Sequence, residues 1–97
     1  MYTVRVDDNY HYMDESERFT LGEYETWDEA VAAAKKLVDD FLSENYKPGM
    51  IAGDLYVCYT MFGEDPFIVG DRPESKEAFS GWDYAKARCE DLCRRAP

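Results

Sequence analysis

Thr26-Trp27-Asp28-Glu29-Ala30-Val31-Ala32-Ala33-Ala34-Lys35-Lys36-Leu37-Val38-Asp39-Asp40-Phe41-Leu42 is the stretch on which the fold turns. The Thr26 hydroxyl is placed to accept from the backbone NH of Glu29, and the Glu29 carboxylate to reach back to the NH of Thr26, a capping box for otherwise orphaned donors. Trp27, Ala30, Val31, Ala34, Leu37, Val38, Phe41 and Leu42 then recur at three- and four-residue spacing and form one apolar stripe. Asp28, Lys35, Lys36, Asp39 and Asp40 fall mostly away from it. Asn45, Lys47, Pro48 and Gly49 supply the stop, because proline cannot continue the helical ladder and glycine tolerates an exit turn. The pattern predicts a helix from Trp27 to Glu44 that needs an apolar surface to lie on.

Upstream, Tyr2, Val4 and Val6 alternate with Thr3 and Arg5, the period of a half-buried strand. Phe19 to Tyr24 repeats the alternation, with Phe19 and Leu21 opposite Thr20 and Gly22. The two read as antiparallel strands. Their twelve-residue connection, Asp7 to Arg18, holds two tyrosines, one histidine, one methionine and five acids. That is too long for a tight hairpin, and loops of this length inside compact domains are often functional.

Downstream, residues 50 to 62 admit two readings. Helical spacing groups Ile51, Leu55, Tyr59 and Phe62, whereas Tyr56 to Met61 is rich in β-formers and slightly favours a strand paired with Phe67 to Val69. Gly63-Glu64-Asp65-Pro66 reads as a turn between them. Asp71 to Phe79 is polar, contains Pro73 and has no period, so it reads as a surface connection. A last helix opens at Ser80, with Asp83 as capping partner and Trp82, Ala85, Cys89, Leu92 and Cys93 as its buried stripe. Arg94 and Arg95 sit at its carbonyl end, where positive charge is favoured. Trp27 and Trp82, each in the first turn of a helix, read as core anchors.

Val4-Arg5-Val6-Asp7-Asp8-Asn9-Tyr10-His11-Tyr12-Met13-Asp14-Glu15, Tyr46-Lys47-Pro48-Gly49-Met50, Phe62-Gly63-Glu64-Asp65-Pro66-Phe67-Ile68 and Trp82-Asp83-Tyr84-Ala85 together resemble a family of small uncharacterised acidic bacterial proteins of unknown function. The resemblance spans nearly the whole chain and implies no activity or site residue. In such relatives a short acidic helix with a capping serine or threonine follows the position of Gly49. The resemblance therefore implies a helix over about Gly53 to Met61, although Ile51, Gly53, Val57 and Cys58 depart from the pattern. The expected fold is α+β: one domain, 1–97, with a small, mainly antiparallel three-stranded sheet and two or three helices on one face, in the order β-β-α-(α)-β-α.

Charge narrows the partners. The 97 residues carry a formal net charge of −10, yet 45% are apolar and 15% aromatic, enough for a core. Residues 1 to 29 hold nine acids and two bases, a net −7. Such a surface repels phosphate backbones and anionic lipid, so neither nucleic acid nor a membrane is an expected partner. No apolar run approaches the roughly 18 residues of a membrane span, and three cysteines in so short a chain read as reduced thiols of a cytoplasmic protein.

Candidate chemistry is sparse. Cys89 and Cys93 lie four apart on one helical face, but further zinc ligands would have to be Cys58 and His11 from distant segments; core packing explains the pair without a metal. His11 is the only histidine, and Asp7, Asp8 and Asp14 would raise its pKa. Asp7, Asn9 and His11 mimic the first three positions of a calcium loop, but Tyr12 stands where glycine is required and Arg18 at the twelfth position. No catalytic residue, metal or cofactor is assigned. The expected function is a protein-interaction module, binding a protein partner or a second copy through Tyr10, His11, Tyr12, Met13, Asp14 and Glu15, where aromatic contact area is ringed by acids. The alternative is a small enzyme or metal-dependent catalyst centred on His11 and nearby carboxylates.

Overall fold

In a computed structural model, residues 1–9 and 18–95 are described. Their elements run β1 (Tyr2–Asp8), β2 (Phe19–Tyr24), α1 (Trp27–Asn45), α2 (Ala52–Phe62), β3 (Glu64–Val69) and α3 (Gly81–Arg95). The fold is α+β in the order β-β-α-α-β-α. The three strands form one antiparallel sheet with β1 in the middle, in the order β2-β1-β3.

α1 begins where the sequence places it. Thr26 is the N-cap and its hydroxyl accepts from the Glu29 backbone NH at 3.1 Å. The return half of the capping box differs: the Glu29 carboxylate accepts from the Thr26 hydroxyl at 3.0 Å instead of from the Thr26 NH. The helix ends at Asn45, one residue later than expected, and the Asn45 amide caps the Phe41 carbonyl at 2.8 Å. Gly49 turns the chain with a φ of 86°, a region that only glycine enters cheaply.

Residues 52 to 62 are helix, so the strand reading of Tyr56 to Met61 is not realised. Ile51 occupies the N-cap with no side-chain bond. Packing replaces the missing cap: Leu55 and Tyr59, fully buried, join Val38 and Leu42 of α1 and Ala85 and Cys89 of α3 in one cluster. Burying side chains such as Leu42 and Leu55 contributes about 1.5–3 kcal/mol each, more than a cap is worth. Trp82 and Phe41 meet the Tyr59 ring edge-on at 6.5 and 5.8 Å. Trp27 is likewise buried, edge-on to Tyr2 at 5.7 Å. Ser80 caps α3 by accepting from the Asp83 NH at 3.2 Å.

Two sheet expectations need correction. Gly63-Glu64-Asp65-Pro66 is not a turn: Gly63 closes α2, and β3 starts at Glu64. Proline survives there because β3 is an edge strand, where a missing NH on the outer side breaks no ladder bond; Pro66 is paired with Val6 and fully buried. In β2 the alternation of Phe19 and Leu21 against Thr20 and Gly22 is interrupted. The register shifts between Val4 and Arg5, so Val4 faces Gly22 while Arg5 faces Thr20, and Leu21 is the extra residue of a bulge. Phe19 and Leu21 stay 42% and 37% exposed as a result.

A second cluster, Val4 with Ala30 and Ala34, seats α1 on the sheet and is flanked by Tyr2, Tyr24, Ile68 and Phe79. Val4 and Val6 are fully buried on this face. Alternation along β1 puts Thr3, Arg5 and Asp7 on the opposite face, which no described helix covers. No helix among the described residues is long and apolar enough to cross a membrane.

Candidate functional site

One end of the sheet is made anionic by strand pairing, with successive pairs on alternate faces. β1 runs two residues beyond the expected Val6, and β3 starts three before Phe67, so Asp7 stands opposite Asp65 and Asp8 opposite Glu64. Like charges directly opposite one another in a sheet destabilise it. The carboxyls respond accordingly. Burial, reinforced by the charge of Asp7, pushes Asp65 up to about 6, although a hydrogen bond with the Trp82 side chain works the other way. Glu64 is also raised, first by burial and then by Asp8. Burial of the Asp65 and Glu64 carboxyls is what chiefly costs folding energy here.

Arg18 closes the site. Its Nε donates to Asp7 Oδ1 at 2.5 Å and its second nitrogen to Oδ2 at 3.3 Å, while the guanidinium lies over the Phe67 ring, 5.1 Å from the centroid. The pair is mostly shielded, with side chains 25% and 19% exposed, so it is less screened by salt than a surface pair. The chain thus leaves β1 and re-enters at β2 from one clamped point. Arg5 lies one position from the clamp on the same face, paired with Phe67 and Thr20. Its Nε is buried with no hydrogen-bond partner.

Asn9 fixes the other side of the root. It is 6% exposed; its amide donates to the Tyr59 carbonyl at 2.9 Å and its backbone NH to the Gly63 carbonyl at 2.9 Å. The Tyr59 hydroxyl donates to the Glu64 carbonyl at 2.9 Å. Asn9 is therefore bonded to the last turn of α2, and Tyr59 bonds that turn to the start of β3.

Tyr10, His11, Tyr12, Met13, Asp14 and Glu15, the residues expected to contact a partner, lie outside the described residues, as does the lone histidine on which the catalytic alternative rests. What the structure adds is their foundation: Asp7, Asp8, Asn9, Arg18, Glu64, Asp65 and Phe67. Glu64 and Asp65 were hidden in the sequence because they read as turn residues, and Phe67 because it read only as part of a short apolar strand. The duplicated acidic doublets, Asp7-Asp8 and Glu64-Asp65, were the signal that could have found the pairing.

The thiols do not join this site. Cys89 is buried and its thiol pushed up to about 11 by burial, with Cys93 and Cys58 nearby, while Cys58 points its sulfur at Asn45 Oδ1, 3.8 Å away. Among the described residues no three of His, Cys, Asp and Glu are grouped to hold a metal ion. A shallow cleft of about 440 Å³ lies elsewhere, between α1 and residues 76–84, over Trp27, Lys35, Phe79 and Tyr84. No family model, curated protein or solved structure matches the chain significantly.

Proposed function

We propose that this protein is an interaction module that presents residues 10–17 from a rigid root and binds a protein partner bearing a basic face. The observation that carries the reading is the root itself: Asp7 and Arg18 clamp the two ends of the connection over Phe67 beside two cross-strand carboxylate pairs. An anionic edge of this kind is electrostatically complementary to a basic partner face. Tyr10 and Tyr12 supply contact area at low entropic cost, and Asp14 and Glu15 extend the negative field.

The test is co-purification with cross-linking, followed by titration of the recovered partner against wild type and a Tyr10→Ala/Tyr12→Ala variant. Binding should weaken by about tenfold or more in the variant, and with added salt in the wild type, while Tm changes little. Equal affinity of variant and wild type would refute the proposal.

A further inference from the structure

β2 is an edge strand: the order β2-β1-β3 leaves one side of Phe19–Tyr24 unpaired by any described strand. On such a strand every second residue turns its NH and C=O outward, a row of donors and acceptors that an added strand would satisfy. The opposite edge is blunted, because Pro66 of β3 has no NH to offer. β2 has neither proline nor lysine, two residues that commonly guard an edge. Its bulge falls at Leu21, and Leu21 lines a cleft of about 240 Å³ beside the strand, together with Tyr24 and with Ala33 and Leu37 of α1. Leu37 belongs to the apolar stripe of α1 yet is only half-buried, and Leu21 is exposed. Lys36 and Asp40, paired at 2.8 Å, form the polar rim.

We propose that this edge and cleft take an extended segment of a partner protein as a fourth strand, with an apolar side chain seated in the cleft and basic side chains on the other face. The backbone row selects an extended segment, because a helix or a folded apolar surface would leave it unpaired. The period of two in a strand then divides the segment's side chains. Those on the α1 side meet Leu21, Tyr24 and Leu37; those on the other side meet Glu23, which is paired with Thr3 and so stands on the face away from α1. Charge sets the chemistry there. Glu23 and Glu25 are the charged residues from 19 to 25, in a chain of net −10, so lysine or arginine is the complement. A second copy is a poor occupant, since pairing β2 with itself joins two strands that bear acids and no base, from chains that each carry −10. The proposal does not rest on the partner-binding role of residues 10–17.

The probe is an end-blocked peptide of about six residues, a usual strand length, in which valine alternates with lysine. Titrated into the isotope-labelled full chain, it should shift the amide signals of residues 20–25 and of Ala33 and Leu37, and slow amide exchange within 20–25. A version methylated at every backbone nitrogen keeps the charge but has no donor, and should bind about tenfold or more weakly; so should one with glutamate in place of lysine. Leu21→Lys and Glu23→Lys, both at exposed positions, should weaken binding of the lysine peptide to a similar degree with Tm unchanged, whereas Val57→Ser on α2 should bind like wild type. Absence of binding, or equal binding of the methylated peptide, would overturn the proposal. So would a dimer of the chain alone that Leu21→Lys disrupts, which gives the edge to a second copy. Shifts that gather at residues 7–18 and spare 20–25 would also overturn it, while leaving the partner-binding role of residues 10–17 standing.

Discussion

The Arg18 Nε rests 2.5 Å from Asp7 Oδ1 with the guanidinium over the Phe67 ring, so one arginine neutralises a strand carboxylate, covers a half-buried ring and ties together the two ends of the connection. Arg18→Met keeps the length of the side chain and some contact with the ring but removes every hydrogen bond. It leaves Asp7 facing Asp65 without that cation. We expect a loss of about 1–3 kcal/mol in urea unfolding, the usual range for charge-assisted hydrogen bonds, together with weaker partner binding. Arg18→Lys should recover only part of the loss, since an ammonium group cannot make the two-pronged contact. Full recovery by lysine would show that charge alone matters.

Asp65 makes stability depend on pH in the less common direction. Its carboxyl is raised from 3.8 to about 6, first by burial and then by Asp7, so the folded protein binds this proton more tightly than the unfolded chain. At neutral pH the group is charged in both states and the fold bears the cost. As pH falls through about 6 the folded form is protonated first, and this contribution to stability grows until pH nears 3.8, where both states are protonated. Glu64 acts in the same direction. Asp65→Asn, which retains an acceptor for Trp82, should therefore raise stability at neutral pH by at most about 3 kcal/mol. The gain should vanish near pH 4. A variant less stable than wild type at neutral pH would contradict the assignment.

Asp39, which the helical pattern set away from the apolar stripe of α1, joins α1 to α3. The Tyr84 hydroxyl donates to its carboxylate at 2.9 Å, and Arg88 Nε donates at 3.0 Å. Burial and the Asp39 carboxylate together push Tyr84 up to about 12. Asp39→Ala leaves a half-buried hydroxyl and a guanidinium without this acceptor, so thermal unfolding should show a loss of about 1–3 kcal/mol. Tyrosine absorbance in an alkaline titration should show one residue ionising at lower pH than in wild type. An unchanged titration would place the strain elsewhere.

The contrast between Thr26 and Asp65 shows what could be read from the chain. Thr26, the stripe from Trp27 to Leu42 and the Ser80 cap are local patterns with one physical solution, and each appears in the structure where its residues stand. α2 was ambiguous because Leu55 and Tyr59 gain their burial from α1 and α3, a tertiary term that local propensity does not contain. The start of β3 was misread because glycine, two acids and proline have turn propensity; pairing of Pro66 with Val6 in the edge register overrides it. The candidate site was half legible. Its acidic connection was visible in composition, but the opposition of Asp7 to Asp65 and Asp8 to Glu64 depends on strand register, and register depends on the bulge and edge that no single segment encodes.

Gly63 is the joint on which α2, β3 and the root of the connection depend. A β-carbon there would lie 2.6 Å from the Tyr59 ring and 2.7 Å from the Tyr59 carbonyl oxygen, and the latter is backbone with little room to yield. That same carbonyl accepts from the Asn9 amide, and the Gly63 carbonyl accepts from the Asn9 NH. Gly63→Ala should accordingly cost about 1–3 kcal/mol, the range for overpacking in a tight site, and should increase amide exchange at Asn9 more than in the middle of α1. Gly53→Ala is the control: nothing lies within 4 Å of a β-carbon built there, and alanine at a helical position should stabilise the protein by about 0.5–1 kcal/mol. If Gly63→Ala unfolds at the same urea concentration as wild type, the close approach to Tyr59 is not what holds this joint together.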